Sequence, residues 1–511
     1  MKGKQIINII NFIRGIEPRN NRDIYTPVVK QIELMKEHKL RGTFLLQYDA
    51  LIMPEYLDLL KPLDPEQFEI GVWFETVQPQ VEAAGLKWRG SYPWDWRVCT
   101  GFSMGYNKEE REKLVDVLYE KFKDTFGYYP KVFGSWFFDS HTIRYISDKY
   151  GVDALCNCKE QFGTDGYTLW GGYFGQGYYP SRTNVFLPAQ TPENQIPAPI
   201  FRMLGSDPIY QYDFGLNVEA DLPTRSTCVL TLEPGSTVSG GKDTKWIEWF
   251  LKENFNGDCL SFGYAQAGQE NSFSWELMGE GINYQFPRFG ELQKQGEIIF
   301  EQLGETGRRF KETYKMTPAS TITSHCAFDD ENKNNVWYCS KNYRISLYGN
   351  EGKMRIRDLH IFKEDFADPF EDTVCKTSAA TYDTPPVIDG YRNSGKGVLS
   401  GGYIEFEDGS EPTFDKMNFE EIDSNTALVS YGSLKFMLFE DGIEITADKP
   451  FSLTVKYGGK SEHFPALKFF DDKILALSYK GTDYSIKAET GIFTSAKTMK
   501  SQDNKIKVIF N

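Results

Sequence analysis

Histidine, basic clusters and long apolar runs are scarce in this sequence of 511 residues. It holds only five histidines. A catalytic zinc site uses about three protein ligands, so few histidines are available to form one. Lysine and arginine (57) are outnumbered by aspartate and glutamate (72), which gives a net charge of −15. Binding of nucleic acid requires clustered cations that neutralise phosphates, and no basic run is present. The sequence therefore argues against a nucleic-acid partner.

No apolar stretch reaches the roughly 18 residues of a transmembrane helix, so no membrane association is expected. The first residues resemble the start of a secretory signal, but Asn8 and Asn11 interrupt the apolar part and no small-residue cleavage site follows. We therefore expect a cytoplasmic protein without a signal peptide. The eight cysteines are scattered, and several lie in apolar runs, where a free thiol packs as a small hydrophobic group.

The most informative feature is a repeated pattern, in which a short apolar run rich in strand formers ends on a polar or acidic residue. Helical patterns separate most of these runs, which favours a barrel of parallel strands. In such a barrel the C-terminal ends of all strands meet at one rim, so acids placed there converge. The runs are residues 6–17, 43–49, 70–75, 132–139, 152–159, 200–207, 227–233 and 260–270.

The clearest predicted helix begins after Asn107, with Glu110 completing a capping box, and ends at Gly127. Shorter helices are predicted over 141–150 and 245–255, and a long one over 289–314. Residues 160–199 and 208–224 are rich in Gly, Pro, Tyr and Gln and are predicted to form long loops.

Beyond about residue 319 the apolar residues alternate with polar ones, and Asp441-Gly442 is a strong hairpin turn. A chain of this length exceeds what one hydrophobic core usually supports. The sequence therefore predicts an α/β fold with two domains. Residues 1–318 form a (β/α)8 TIM-like barrel, and residues 319–511 form a C-terminal antiparallel β-sandwich that serves as an accessory domain.

Aromatic residues make up 15% of the chain, which is more than packing usually requires. Aromatic rings stack on the apolar faces of sugars, and carboxylates and amides bind sugar hydroxyls, so a carbohydrate substrate is expected. No cofactor and no metal site is predicted, although the acidic rim leaves Ca²⁺ or Mg²⁺ binding open. The sequence leaves a homodimer open.

Residues 69–155 resemble the core of the polysaccharide deacetylases. The matching elements are the strand Glu69 to Glu75, the Asn107 helix, the strand Pro130 to Trp136, and a helix ending at Tyr150-Gly151. This superfamily contains deacetylases and glycoside hydrolases on (β/α) barrels. The resemblance implies a zinc site of one Asp and two His, but residues 72–74 (Val-Trp-Phe) occupy the stretch where the His pair would stand.

A barrel followed by a β domain is also similar to many glycosidases. These include exo-sialidases with an acid after the first strand and a His after the fourth. Glu17 and His141 stand at those places in this chain. A sialidase would further need arginines for the substrate carboxylate, and Arg14 and Arg202 are the candidates. This analogy concerns the fold.

Glycoside cleavage needs a proton donor and a carboxylate that attacks the sugar or activates water. We assign Asp139 as the donor, because the preceding Trp136-Phe137-Phe138 would raise its pKa, and His141 could share that role. Glu17 and Glu233 compete for the role of base or nucleophile, since each precedes a proline that favours an extended backbone at the rim.

Other polar and aromatic residues at strand ends are expected to bind the substrate. The carboxylates and Gln269 would bind hydroxyls, Arg202 would bind an acidic group, and the aromatic side chains would stack on sugar rings. The predicted substrate-binding residues are Asp49, Trp73, Glu75, Trp136, Arg202, Asp207, Tyr264, Gln269 and Glu270.

The sequence therefore predicts a glycoside hydrolase that uses carboxylate acid/base chemistry at the C-terminal rim of a barrel. Three alternatives stay open: a metal-dependent polysaccharide deacetylase, an exo-sialidase-like hydrolase of an acidic sugar, and a glycan-binding protein without catalysis.

Overall fold

The computed structural model describes residues 3–203, 205–213, 215–219, 230–235 and 240–511. The first 319 residues contain both strands and helices. The strands of this part are β1 (Gln5–Ile13), β2 (Gly42–Leu46), β3 (Phe68–Trp73), β4 (Val132–Gly134), β5 (Ala154–Cys158), β6 (Gln161–Thr164), β7 (Tyr167–Leu169), β8 (Gly177–Tyr178), β9 (Ile200–Met203), β10 (Gly263–Ala267) and β11 (Ile299–Glu301). The helices are α1 (Thr26–Glu37), α2 (Tyr48–Leu51), α3 (Pro54–Leu60), α4 (Gln78–Ala83), α5 (Val98–Gly101), α6 (Lys108–Phe126), α7 (Ser140–Tyr150), α8 (Tyr210–Asp213), α9 (Thr244–Asn254), α10 (Ser274–Gln295) and α11 (Leu303–Thr313).

One sheet dominates this part, in the order β10-β1-β2-β3-β4-β5-β9-β8. All neighbours are parallel except β8, which runs antiparallel to β9, and β11 adds a parallel strand beside the first half of β1. The sheet curls so that its two ends approach each other. The ring centres of Phe201 in β9 and Tyr264 in β10 lie 5.2 Å apart, and the N–H of Gly205 donates to the Gln266 carbonyl at 3.0 Å. No strand ladder joins β9 to β10 within the described ranges.

Seven of the eight predicted runs contain a parallel strand. The exception is the run 227–233, whose residues 227–229 lie outside the described residues and whose Thr231 forms only an isolated bridge with Ser206. The fourth run forms a strand over only three residues, 132–134. The predicted loop 160–199 contains β6, β7 and β8.

The single helix predicted over 289–314 is wrong. Gly296 adopts φ +75° and ends α10, after which β11 and then α11 follow. Helices often end on a glycine in this left-handed conformation. The strand β11 has only three residues, too few to show a period in the sequence.

The helix predicted after Asn107 is confirmed as α6. The Asn107 side chain accepts from the Glu110 N–H at 2.9 Å, and the Glu110 side chain accepts from the Asn107 N–H at 3.0 Å. The helix ends at Gly127 with φ +86°. This helix places Arg111 against the end of the fourth predicted run, with consequences described below.

Strands that pair antiparallel with their neighbours, apart from β16, form the rest of the chain. They are β12 (Ser320–Ser324), β13 (Lys333–Cys339), β14 (Tyr343–Asn350), β15 (Lys353–Ile361), β16 (Ala380–Tyr382), β17 (Pro386–Asp389), β18 (Gly401–Phe406), β19 (Met417–Glu421), β20 (Ala427–Tyr431), β21 (Leu434–Phe439), β22 (Gly442–Thr446), β23 (Phe451–Lys456), β24 (Ala466–Phe470), β25 (Ile474–Tyr479), β26 (Thr482–Thr490), β27 (Ile492–Ser495), β28 (Thr498–Lys500) and β29 (Lys505–Phe510). They build two large sheets, β12-β13-β14-β15-β18-β23-β28-β27 and β19-β20-β21-β22-β29-β26-β25-β24.

The two antiparallel sheets pack face to face. Ile356 and Ile388 from one sheet and Ile443 and Ile506 from the other line the same apolar cavity of about 60 Å³. The predicted hairpin at Asp441-Gly442 joins β21 to β22. Strand β16 leaves these sheets and pairs in parallel with β7, which connects the two parts of the chain.

Among the described residues, no helix combines the length and the apolar character needed to cross a lipid bilayer.

Candidate active site

Arg14 occupies the centre of a buried cluster of acids at one end of the parallel sheet. Its guanidinium lies 2.8 Å from Glu270, 3.1 Å from Glu75 and 3.8 Å from Glu17. These acids follow β10, β3 and β1, so parallel strands bring together side chains that are far apart in the sequence. Burial alone would lower the pKa of Arg14, but the three carboxylates raise it above its usual value. Arg14 is therefore a permanent cation.

Glu75 is enclosed behind this cation. It accepts hydrogen bonds from the indole of Trp73 at 2.8 Å, from Gln47 at 3.3 Å and from Arg14 at 3.1 Å. Burial, together with the nearby Glu270, raises the pKa of Glu75 to about 7 despite the attraction of Arg14. Glu75 has 1% of its surface exposed, and it does not line the cavity between Glu233 and Glu270.

Glu17 is held on the outer side of the cluster by a second arginine. The Arg19 guanidinium donates to both carboxylate oxygens, at 2.9 and 2.7 Å, and the Arg19 N–H donates at 3.0 Å. Burial raises the pKa of Glu17, but the Arg19 hydrogen bonds and the Arg14 charge outweigh it and lower the pKa below its usual value. Glu17 is therefore a fixed anion.

Glu233 and Glu270 line a small shared cavity. The Glu233 Oε1 accepts from the Gln269 amide at 2.6 Å, and Glu270 accepts from the Ser272 hydroxyl at 2.6 Å. Burial, followed by repulsion from Glu270, raises the pKa of Glu233 to about 7. Glu270 instead pairs with Arg14 at 2.8 Å, which stabilises its negative charge. The two carboxyl groups thus face one space in opposite electrostatic settings.

The cavity measures about 20 Å³, which is room for about one water molecule. Gln266 contributes a buried Oε1 that has no hydrogen-bond partner among the described residues, as expected where a polar ligand or water binds. The backbone depends on Gly268, whose φ is +104° and where a Cβ would meet the Ile10 carbonyl oxygen at 2.2 Å. This close turn directs the Gln269 and Glu270 side chains back to the cavity.

Aromatic rings form the remaining wall. Phe12 stacks on Trp73 at 3.9 Å, and Trp136 stands perpendicular to both rings at 5.2 and 5.4 Å. Phe12 and Trp136 line the cavity, and Trp136 is half-buried. Trp73 is fully buried behind them. Of the predicted stacking residues, Trp136 therefore lies at the cavity and Trp73 supports it.

Asp139 and His141 lie away from the cavity. Asp139 caps α7, accepting from the Thr142 N–H at 2.9 Å and the Thr142 hydroxyl at 2.7 Å, and it forms a buried ion pair with Arg111 at 2.9 Å. A hydrogen bond from Ser103 completes the set around its fully buried carboxylate. His141 contacts Glu112 at 3.0 Å. The structure does not bring this pair to Glu233 and Glu270.

Two predicted hydroxyl-binding acids hold loops instead. Asp49 accepts from the N–H groups of Gly15 at 3.0 Å and Ala50 at 2.7 Å, and burial raises its pKa to about 6. Asp207 accepts from two backbone N–H groups and from the Trp246 indole at 3.0 Å, and burial raises its pKa. Neither residue lines the cavity.

Arg202 and Tyr264 do not line the cavity, although Tyr264 contacts a residue that does. Arg202 forms a buried ion pair with Glu160 at 2.7 Å. The Tyr264 hydroxyl donates to Asn8 at 2.8 Å and accepts from Gln266 at 2.6 Å, so it positions the amide that faces the cavity. Gln266 and Arg19 were not among the residues selected from the sequence. The polar composition of residues 264–271 was the available signal for Gln266, and for Arg19 the sequence holds none.

No protein-family model and no curated protein matches the sequence. Solved structures match its fold. A Parabacteroides distasonis protein described as a "putative glycoside hydrolase/deacetylase" has a TM-score of 0.57 at 15% identity, over 75% of this chain and 91% of the other. This similarity shows that the two proteins share a fold. A "probable Polysaccharide deacetylase" from Pseudomonas aeruginosa has a TM-score of 0.37 at 10% identity, over 61% of this chain and 93% of the other.

The resemblance seen in the sequence is thus confirmed at the level of the fold. The deacetylases of this superfamily were expected to carry zinc on one Asp and two His. Here the Arg14 guanidinium occupies the centre of the acid cluster, 2.8 Å from Glu270, and a fixed cation repels a second one. Among the described residues, no group of three or more His, Cys, Asp or Glu is arranged to hold a metal ion. The donor set therefore does not fit the zinc of the deacetylases.

Proposed function

We propose that this protein is a glycoside hydrolase in which Glu233 is the proton donor and Glu270 is the charged carboxylate. One observation carries the proposal: the two carboxyl groups line the same cavity, one with a pKa raised to about 7 and the other paired with Arg14 at 2.8 Å. Two carboxyl groups whose environments separate their protonation states are the usual basis for acid and base roles.

In this mechanism Glu233 protonates the oxygen of the leaving sugar. Gln269 orients the Glu233 carboxyl group through the 2.6 Å hydrogen bond. Glu270 acts on the anomeric carbon directly, as nucleophile, or through a water molecule, as base. Arg14 pairs with Glu270 at 2.8 Å, and the Ser272 hydroxyl donates to it at 2.6 Å and fixes its orientation. Of the residues predicted from the sequence, Glu233 and Glu270 thus take the catalytic roles, and Trp136 and Gln269 contact the substrate or the donor.

We propose that the curled sheet is a (β/α)8-type barrel whose C-terminal rim carries the site, with the antiparallel region from residue 319 as an accessory domain. The superfamily fold and the name of the Parabacteroides distasonis protein support a carbohydrate substrate. The cavity itself has room for about one water, so a sugar ring must lie over its opening, next to Trp136.

The test uses p-nitrophenyl glycosides and reduced oligosaccharides with the parent protein and with Glu233→Gln and Glu270→Gln. We expect hydrolysis by the parent and its loss in both variants. Proton NMR of the anomer released first distinguishes a nucleophilic Glu270 from a basic one. If the parent cleaves no member of a broad panel, yet binds one, the protein is a glycan-binding protein and the hydrolase assignment is wrong.

A metal-dependent deacetylase is the second candidate, because the matched structure carries both names. It requires a set of ligands that differs from the zinc site of the deacetylases, as described above. The distinguishing experiment measures acetate release from acetylated xylo- and chito-oligosaccharides before and after EDTA treatment. Acetate release that EDTA abolishes and Zn²⁺ restores would support the deacetylase; glycoside cleavage that survives EDTA would support the hydrolase.

A further inference from the structure

A row of aromatic rings leads from the acid cluster to the protein surface. Tyr92 stacks on Trp96, with ring centres 5.7 Å apart and planes within 14°. Trp96 in turn lies 6.0 Å from Trp94. Trp94 is buried and Trp96 is half-buried, whereas 47% of Tyr92 is exposed. We call these three residues the aromatic row.

The inner end of the aromatic row touches the proposed active site. The Arg14 guanidinium lies 4.2 Å from the centre of the Trp94 ring, and the same guanidinium pairs with Glu270 at 2.8 Å. Arg19 lies 4.6 Å from Trp94 and 5.6 Å from Trp96. Only the Arg14 side chain therefore lies between Trp94 of the aromatic row and the Glu270 carboxylate of the cavity.

Hydrogen bonds hold the loop that carries the aromatic row. The buried Asp95 carboxylate accepts from the N–H groups of Ser91 at 2.9 Å and Arg97 at 3.2 Å, and it pairs with the Arg97 guanidinium. The Trp88 indole donates to the Tyr92 carbonyl at 3.0 Å. An exposed ring on such a loop binds a ligand without the entropic cost of ordering a flexible segment.

We propose that Tyr92 and Trp96 form a second sugar-binding subsite, which stacks one pyranose unit of an oligosaccharide whose cleaved bond lies at Glu233 and Glu270. This inference rests on the proposed function and names its substrate as an oligosaccharide rather than a single glycoside. The flat face of Tyr92 suits the apolar C–H face of a pyranose ring. Arg19, 30% exposed beside Trp96, adds N–H donors for the hydroxyl groups.

The test compares Tyr92→Ala with the parent on p-nitrophenyl monoglycosides and on gluco-, manno-, xylo- and chito-oligosaccharides of two to six units. A monoglycoside reaches only the acid site, whereas a longer chain also reaches Tyr92. We expect kcat/KM to fall about five-fold or more on the longer chains and to stay unchanged on the monoglycoside, with Tyr92→Phe close to the parent. Tyr128→Ala is the matched control, because Tyr128 is equally exposed (47%) and lies after α6.

Equal losses on short and long substrates, or no loss on the long ones, would overturn the subsite. Its failure is distinguishable from that of the proposed function, because the parent's activity on all substrates tests the latter. If the parent cleaves nothing, the subsite can still be tested by binding. The Glu233→Gln variant is titrated with the same oligosaccharides, and tryptophan fluorescence measures the binding. Weaker binding by the double variant Glu233→Gln/Tyr92→Ala than by Glu233→Gln supports the subsite. Equal binding by the two variants, or no binding by Glu233→Gln, refutes it.

Discussion

The amide nitrogen of Gln269 lies 2.6 Å from Oε1 of Glu233. This N–H donor stabilises the ionised carboxylate, whereas burial and the charge of Glu270 favour the neutral acid, and the balance raises the pKa of Glu233 to about 7. The same Gln269 accepts from the Gly235 N–H at 2.7 Å, so its orientation is fixed. Gln269 therefore opposes part of the rise that burial causes in the pKa of the proposed donor.

The pH dependence of hydrolysis should reveal this relationship. We expect kcat/KM to decline above about pH 7, because Glu233 loses the proton that it must donate. In Gln269→Leu the carboxylate loses a stabilising donor, so its pKa rises and the alkaline decline moves to higher pH. The measurement is kcat/KM from pH 5 to 10. Gln80→Leu, at a buried glutamine of α4, is the control; an alkaline limb that Gln269→Leu leaves in place would contradict the assignment.

Replacement of the proposed donor should remove catalysis while binding remains. Glu233→Gln keeps the shape of the side chain and cannot transfer a proton, so we expect kcat to fall by about 10² to 10⁴ with little change in KM. The control is Glu112→Gln, at the partner of His141, which should retain the parent's kcat. A variant Glu233→Gln within three-fold of the parent would assign the donor role elsewhere.

Loss of Arg14 should destabilise the fold in a pH-dependent manner. Arg14→Met leaves Glu17, Glu75 and Glu270 without their shared cation, and we expect a decrease of about 3–5 kcal/mol in the free energy of unfolding at neutral pH. Burial raises the pKa of Glu75 to about 7 even with Arg14 present, and loss of the cation would raise it further above the unfolded value. The neutral form of Glu75 then favours folding, so the deficit should shrink as pH falls.

Urea unfolding at pH 5 and pH 8 measures this effect. Arg288→Met is the control, since it breaks a partly exposed pair with Glu248 and should cost about 1 kcal/mol or less. Equal deficits at both pH values would show that the acids do not depend on Arg14 for their ionisation.

Asp139 offers a direct choice between a structural and a catalytic role. Asp139→Ala removes the cap of α7 and leaves Arg111 buried without its carboxylate partner, so we expect a loss of about 3–5 kcal/mol in the free energy of unfolding. The rate per folded molecule should stay near that of the parent. A loss of 10² or more per folded molecule, measured where circular dichroism shows a native fold, would instead establish Asp139 as the donor.

Local patterns in the sequence anticipated several elements of the secondary structure of this protein. Apolar runs predicted the parallel strands, Asn107 and Glu110 predicted the start of α6, and Asp441-Gly442 predicted the β21–β22 hairpin. These features depend on neighbours within a few residues, which the sequence shows directly. The strand β11 was missed because three residues are too few to establish a period.

The identity of the acids at the cavity required the tertiary structure. Asp139 and Glu233 carry the same signal, an acid at the end of an apolar run. Arg111, 28 residues before Asp139, forms an ion pair with Asp139. Gln269, 36 residues after Glu233, donates a hydrogen bond to Glu233. The sequence by itself determined that acids gather at the ends of the strands. Only the packing of distant elements decided which acid meets a cation, which meets an amide, and which therefore keeps a proton near neutral pH.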